Sequence, residues 1–233
     1  AIDVHGKCVR APGDFARLDE NALDNDTHQR QMAADQASEG ARWVVQLDTD
    51  EVMSAPDTFF RMLARADDAG MGALDYPSRW IHSRSKPRRY LEGSDRFWRP
   101  IATYPASLAV RAGTRLTLAR QSDVTPFRVD FRWVSTDPWR PRDAAVHAVI
   151  PAADAVLHFS WVRDPAAMRR KFGWSGHHES MTPPEVYRKW EWSMRRPYLT
   201  AAVAPVRRVV DGRYRVCTIN EPPGGEPPAL NVD

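Results

Sequence analysis

The stretch WVVQLDTDEVM, residues 43–53, decides which fold the sequence predicts. A nearly unbroken apolar run ends there in three closely spaced carboxylates, Asp48, Asp50 and Glu51. An apolar run of this kind predicts a strand buried on both faces, as in a parallel or mixed sheet covered by helices. An ionised carboxylate that leaves water without a partner costs several kcal/mol, so we expect a positive charge beside these acids.

Helix and strand signals alternate around this stretch. Residues 27–40 contain good helix formers and end in glycine, which predicts a helix before the apolar run. Residues 54–70 predict a second helix, with capping-box spacing at the start and Pro56 in the first turn. Residues 71–82 then predict a strand. This order is typical of an α/β sheet.

The remainder of the chain carries further strand and helix signals. A basic segment with glycine and proline, residues 82–100, predicts a long loop, and residues 106–120 predict a hairpin. The other predicted elements are strands at 126–134 and 155–162 and helices that begin near Pro165 and Pro183. We expect one domain over residues 1–220 and a flexible Pro/Gly-rich tail over 221–233.

Composition limits the class of protein. The 233 residues are 42% hydrophobic and 27% charged, as in an ordinary globular protein. A formal net charge of +3 favours anionic ligands without requiring a nucleic acid. No apolar run is long enough to cross a bilayer, and the two cysteines, Cys8 and Cys217, cannot form a disulfide framework. These features predict a cytoplasmic protein without a transmembrane segment.

The acidic cluster predicts a metal site. Side chains alternate along a strand, so Asp48 and Asp50 would point the same way at its carboxyl end. Open α/β sheets bind their ligands at that end of the strands. Two hard oxygen ligands suit Mg²⁺ or Mn²⁺, whose remaining positions are filled by water and substrate phosphates.

Two segments resemble known enzymes. ARWVVQLDTDEVM, residues 41–53, resembles the part of GT-A-fold glycosyltransferases, especially the family-2-like group, in which an apolar strand ends in an Asp-x-Asp motif. LHFSWVRDPAAMRRKFGWSGHHE, residues 157–179, is similar to a later segment with a strand histidine and a basic helix. The resemblance implies a GT-A-like, Rossmann-related mixed sheet flanked by helices. It also implies a nucleotide-diphosphate sugar donor held through Mn²⁺ or Mg²⁺.

The resemblance assigns roles to particular residues. It implies that Asp50 is a direct metal ligand and His158 a late metal ligand. Asp48 becomes a ribose contact or a water-mediated metal contact, and Glu51 an accessory residue. A lone histidine in an apolar strand more often has a structural role. The presence of the acidic cluster is what favours a metal-binding role for His158.

Further residues are candidates for donor binding and catalysis. Arg30 and Lys171 lie on predicted helices, where each is either a donor contact or a solvated charge. An inverting transferase needs a carboxylate to deprotonate the acceptor hydroxyl. Glu92 and Asp95 are candidates for that base, or they are loop acids paired with neighbouring arginines.

Several alternatives remain open at the level of sequence. The nucleobase-binding segments usual in these enzymes do not occur before Asp26, so either an amino-terminal unit precedes this chain or the base is held differently. Nucleotidyl or phosphoryl transfer also uses paired carboxylates, but the sequence has no phosphate-cradling glycine loop. A non-catalytic nucleic-acid or polysaccharide-binding domain would use the basic, aromatic residues 79–99. The acceptor is an unspecified carbohydrate, lipid or protein, and nucleic acid is the less favoured partner.

Overall fold

A computed structural model describes residues 21–174, 183–203 and 213–219. The predicted α/β class, with mixed sheets flanked by helices, is confirmed for these residues. The chain divides into two compact units. The first comprises Ala1–Gln46, Leu63–Asp75 and Pro105–Phe127, and the second comprises Leu47–Met62, Tyr76–Tyr104 and Arg128–Asp233. The tail predicted at 221–233 and the residue Cys8 lie outside the described ranges.

Helices and strands follow one another along the described residues, numbered in chain order. They are α1 (Ala22–Ala37), β1 (Trp43–Val45), β2 (Glu51–Met53), α2 (Pro56–Asp68), β3 (Ala73–Asp75), β4 (Ser78–Lys86), β5 (Arg89–Gly93), β6 (Ala109–Arg111), β7 (Pro126–Asp130), β8 (Ala148–Val149), β9 (Val156–His158), α3 (Pro165–Trp174), α4 (Pro183–Arg195), α5 (Pro197–Val203) and β10 (Tyr214–Thr218). A single turn of 3₁₀ helix, Ala152–Asp154, precedes β9.

The first unit contains a small antiparallel arrangement of strands beside α1. Strand β6 pairs antiparallel with both β1 and β3. Its buried apolar cluster is Ala34, Val44, Ala73, Val110 and Leu116. Helix α1 begins earlier than predicted, because Asn21 accepts hydrogen bonds from the backbone N–H groups of residues 23 and 24 and so caps the helix.

Strand β1 differs from the expectation of a strand buried on both faces. It has only three residues and lies at the end of its sheet among the described strands. Val44 is buried, whereas Val45 is 40% exposed and Leu47 is 45% exposed. The prediction was therefore wrong, because an apolar run does not reveal how many faces of a strand the rest of the chain covers.

The second unit contains a mixed sheet in the order β10-β5-β4-β9-β2. Strand β4 pairs antiparallel with β5 and parallel with β9, and β9 pairs antiparallel with β2. One buried cluster of this unit comprises Ile81, Tyr90, Leu157, Cys217 and Ile219. Strands β7 and β8 form a further parallel pair.

The prediction of a long loop over residues 82–100 is wrong for the first half of that range. Strands β4 and β5 form a hairpin there, and Arg88 occupies the turn at φ 60°. Tyr90 and Leu91 are buried, which supplies the burial that a strand requires. Charged residues between these apolar positions conceal the strand pattern in the sequence.

Two other strand predictions need correction. Residues 71–82 form two strands, β3 and β4, which belong to different sheets. The hairpin predicted at 106–120 is also wrong, since β6 ends at Arg111 and Gly113 follows it in a turn at φ 79°. Strand pairing is decided by contacts distant in sequence, which local patterns do not specify.

The helix predictions were more accurate because capping is local. Helix α2 begins at Pro56, within two residues of the predicted start at Ser54, and Gly70 follows its end at φ 69°. The Oδ1 atom of Asp164 accepts hydrogen bonds from the N–H groups of Ala166 and Ala167 and caps α3. These hydrogen bonds hold the pKa of Asp164 below its ordinary value. In the described ranges, no helix is both long and apolar enough for a membrane span.

An aromatic cluster in the second unit encloses His82. The imidazole stacks on Trp161 with ring centroids 5.4 Å apart and lies 4.5 Å from the ring centroid of Tyr214. Within the residues that the structure describes, neither ring nitrogen has a hydrogen-bond partner. Burial lowers the pKa of His82 from 6.5 to about 3, so the folded protein holds this imidazole neutral at physiological pH.

We expect the substitution His82→Phe to make folding less sensitive to acid. Below its ordinary pKa of 6.5, His82 takes up a proton in the unfolded chain but not in the folded protein, whose His82 pKa is about 3. Stability from this group is therefore lost as the pH falls from 6.5 toward 3, by about 1.4 kcal/mol per pH unit. Urea unfolding between about pH 7 and pH 5 should show a smaller decline for the variant.

The matched control for this prediction is His28→Gln on α1. His28 is only half-buried, so its replacement controls for the removal of a histidine that the core does not enclose. Equal pH slopes for the original protein and for His82→Phe would contradict the account of His82.

Candidate functional site

The three acids lie in a turn and at the start of the next strand, not along an apolar strand. The N–H group of Glu51 donates to the carbonyl oxygen of Asp48 at 3.0 Å. The side chain of Glu51 accepts a hydrogen bond from the N–H group of Asp48 at 2.9 Å. The alternation argument for Asp48 and Asp50 was therefore wrong, and the buried Glu51 closes the turn.

Strand pairing brings His158 to this turn. In the antiparallel register of β2 and β9, Glu51 lies opposite His158. The N–H group of Phe159 donates to the carbonyl oxygen of Asp50 at 2.8 Å. As a result, the Nε2 atom of His158 lies 3.7 Å from the Oδ1 atom of Asp50. The acid and the histidine that the sequence singled out thus lie side by side.

Two basic residues supply the positive charge expected beside the acids. Arg163 donates to the Oδ2 atom of Asp50 at 3.2 Å. The Nζ atom of Lys171 donates to the carbonyl oxygen of Ser160 at 3.0 Å and to its hydroxyl. Burial and the charge of Arg163 lower the pKa of Lys171, while Asp50 and Asp48 act in the opposite direction. These influences place Lys171 within electrostatic reach of both aspartates.

Arg163 was not singled out from the sequence, although it lies within the segment that resembles glycosyltransferases. Its Nε atom donates to the carbonyl oxygen of Ser160 at 3.1 Å, so the same carbonyl receives both Arg163 and Lys171. In the sequence, the acidic cluster predicted that basic residues would lie beside it, but it did not identify them. Several arginines and lysines follow His158, and only the fold shows which of them approach Asp50.

The donor set beside Asp50 fits a divalent cation with few protein ligands. Ligands about 2.1 Å from one ion lie about 3 to 4 Å apart, depending on the angle between them. The 3.7 Å separation of the Asp50 and His158 atoms falls in this range. Carboxylate and imidazole ligands together suit Mn²⁺. Among the described residues, however, no group of three or more His, Cys, Asp or Glu side chains could hold a metal, so Asp48 completes no such group.

The predicted donor contact Arg30 belongs to a different unit from Asp50. On helix α1, its Nε atom lies 3.0 Å from the Oδ1 atom of Asp26, one turn earlier. This geometry is an ordinary helical ion pair. A role of Arg30 in donor binding stays a prediction from the sequence.

Glu92 lies on β5 in a buried ion pair with two arginines. Arg79 donates to its Oε2 atom at 2.7 Å, and Arg215 donates to its Oε1 atom at 2.5 Å. The carboxylate is only 1% exposed. A general base must reach a substrate proton, and both oxygens of Glu92 already accept from guanidinium groups. The geometry therefore favours a structural role, while the catalytic role stays a prediction.

Asp95 is paired in a similar way after β5. Its carboxylate accepts hydrogen bonds from the side chains of Arg99 and Arg132 at 2.8 and 3.3 Å. Burial would raise its pKa, but hydrogen bonds from the Arg99 and Phe97 backbone and from the Arg99 side chain lower it to about 2. Such a weak proton acceptor is poorly matched to base catalysis near neutral pH. Its catalytic role likewise stays a prediction.

No family model matches the chain, and neither the curated proteins nor the solved structures contain a match to it. The function is therefore inferred from the geometry beside Asp50 together with the resemblance of the two sequence segments.

Proposed function

We propose that the protein is a GT-A-like glycosyltransferase that moves a sugar from a nucleotide-diphosphate donor to an acceptor hydroxyl. The observation that carries this proposal is the approach of Asp50 to His158, with 3.7 Å between Oδ1 and Nε2. Arg163 forms an ion pair with Asp50, and Lys171 lies within electrostatic reach of Asp50 and Asp48. An acid and an imidazole can hold a divalent cation, and cationic side chains can bind the phosphates of a diphosphate.

In this proposal Asp50 and His158 hold Mn²⁺ or Mg²⁺. Bound there, the ion would neutralise negative charge that develops on the departing nucleoside diphosphate. Asp48 would contact the ribose or a water on the ion, as the resemblance implies. Glu51 keeps the turn closed through its hydrogen bond to the N–H group of Asp48.

The basic residues have separate tasks. Arg163 acts as a positioning residue, because its hydrogen bond to Oδ2 of Asp50 leaves Oδ1 directed at His158. Lys171 is a partly buried cation anchored on Ser160 and close to the acids. A fixed cation in a site with little water stabilises developing phosphate charge more strongly than a solvated one. Lys171 is therefore the residue we assign to the leaving diphosphate.

The test of this function is calorimetry with UDP and with GDP, each in the presence of Mn²⁺ and of a chelator. We expect one nucleotide to bind about tenfold or more tightly with Mn²⁺, because the ion links the acids to the diphosphate. Incubation with the matching nucleotide sugar should release the nucleoside diphosphate, whereas nucleotidyl transfer from the same donor would release the sugar 1-phosphate. Nucleotide binding that is unchanged by the chelator would contradict the proposed donor site.

A further inference from the structure

A second feature of the second unit is a cavity of about 860 Å³ rich in arginine. Counted among the described residues, its lining includes two aspartates, Asp95 and Asp137, and six arginines. These are Arg96, Arg99, Arg132, Arg140, Arg142 and Arg213. The volume is in the range of ordinary ligand sites, about 300 to 1,000 Å³. The lining therefore carries a marked excess of positive charge.

The two aspartates do not compensate this charge. Asp95 accepts from Arg99 and Arg132, and its pKa of about 2 keeps it ionised in these pairs. Asp137 pairs with Arg140 of the lining at 3.8 Å and, more closely at 3.2 Å, with the buried Arg128, which lies outside the lining. The remaining arginine charge favours a ligand with carboxylate or phosphate groups, which guanidinium groups bind in bidentate fashion.

Aromatic rings also line the cavity. Trp139 is 88% exposed and offers its ring to a ligand, whereas the Phe97 ring is stacked against the guanidinium groups of Arg96 and Arg99, 4.6 and 5.0 Å from its centroid. Ser94 and Ser135 also line the cavity, but their hydroxyl oxygens are buried. An exposed indole ring beside several guanidinium groups suits a ligand with flat apolar faces and many oxygens.

We propose that this cavity binds a saccharide that carries carboxylate or phosphate groups. The charge excludes a neutral sugar as the preferred ligand, while the exposed ring of Trp139 favours a saccharide over a bare anion. A concave site of this size is also unlike the extended basic groove that a nucleic acid requires. The ligand class that fits all of these features is an anionic saccharide.

One strand connects this cavity to the site beside Asp50. Trp80 lines the cavity, and in the parallel register of β4 and β9 it lies opposite His158. Neighbouring strands are about 4.8 Å apart. The saccharide would therefore lie next to the donor site and act as the acceptor. This last assignment rests on the proposed function, whereas the binding of the saccharide does not.

The test is calorimetry with trigalacturonate, glucose 6-phosphate and, as the neutral counterpart, maltotriose, without nucleotide or metal. We expect one of the two anionic ligands to bind at least about tenfold more tightly than maltotriose. The stronger of the two identifies carboxylate or phosphate as the recognised group. The double variant Arg142→Gln/Arg213→Gln changes exposed residues and should weaken this binding by about tenfold or more.

Arg115→Gln is the matched control, because Arg115 is an exposed arginine of the first unit that does not line this cavity. It should bind the saccharide as the original protein does. Equal affinity for maltotriose, no binding of either anionic ligand, or full binding by the double variant would each overturn the proposal. Tighter binding of an oligo-dT strand would overturn it in favour of a nucleic acid. Metal-dependent nucleotide binding that survives any of these results would leave the proposed function intact.

Discussion

Asp50→Asn should abolish the metal dependence of nucleotide binding and reduce sugar transfer on the order of 100-fold or more. The change removes the charge of the carboxylate that lies 3.7 Å from His158, while the side chain keeps its shape. An amide oxygen still accepts a hydrogen bond from Arg163, so we expect little loss of folding stability. Calorimetry with Mn²⁺ and an assay of released nucleoside diphosphate measure the two effects.

His158→Ala and Asp143→Asn complete this experiment. His158→Ala removes the second proposed ligand and should reproduce the loss of metal dependence. Asp143 is an exposed aspartate of the same unit, so Asp143→Asn controls for the loss of one negative charge. If Asp50→Asn binds nucleotide with the same affinity and the same metal dependence as the original protein, Asp50 is not a donor-site ligand.

Glu92→Gln should lower the free energy of unfolding by about 3 kcal/mol. The substitution leaves Arg79 without a carboxylate partner in a site where its side chain is only 11% exposed. Arg215 is 33% exposed and can recover some hydration, which keeps the loss toward the lower end of the range for broken buried pairs. Urea or thermal unfolding at neutral pH measures the change.

The same variant separates a structural role of Glu92 from a catalytic one. Glu185→Gln is the control, because Glu185 pairs with Lys189 on the surface of α4 and its side chain is 52% exposed. Its loss should cost less than about 1 kcal/mol. If Glu92→Gln folds as stably as the original protein but has lost sugar transfer, Glu92 is the general base after all and the buried ion pair contributes little.

Local signals in the sequence explain which elements were predicted well. The proline of α2 fixes the backbone of its own first turn, and the capping aspartate of α3 accepts hydrogen bonds from N–H groups of its own first turn. Such signals need no knowledge of the rest of the chain. The hairpin of β4 and β5 depends instead on partners that bury one of its faces, and its charged residues suggested a loop. Contacts distant in sequence thus account for the largest errors.

The candidate site was also predicted only in part. The sequence by itself determined the acidic cluster, the need for positive charge beside it, and His158 as a histidine in an apolar strand. Only the tertiary structure decided that β2 and β9 pair so that His158 meets Asp50, and that Arg163 approaches the same carboxylate.

The cavity and the buried ion pair of Glu92 also depend partly on the sequence and partly on the tertiary structure. Composition and local spacing determined which charges the chain carries, because those properties are written along its length. The tertiary structure alone decided that Glu92 lies between two arginines and that other arginines line the cavity. The physical reason is that the environment of a charge depends on which distant segments approach it, and that environment determines whether it stabilises the fold or binds a ligand.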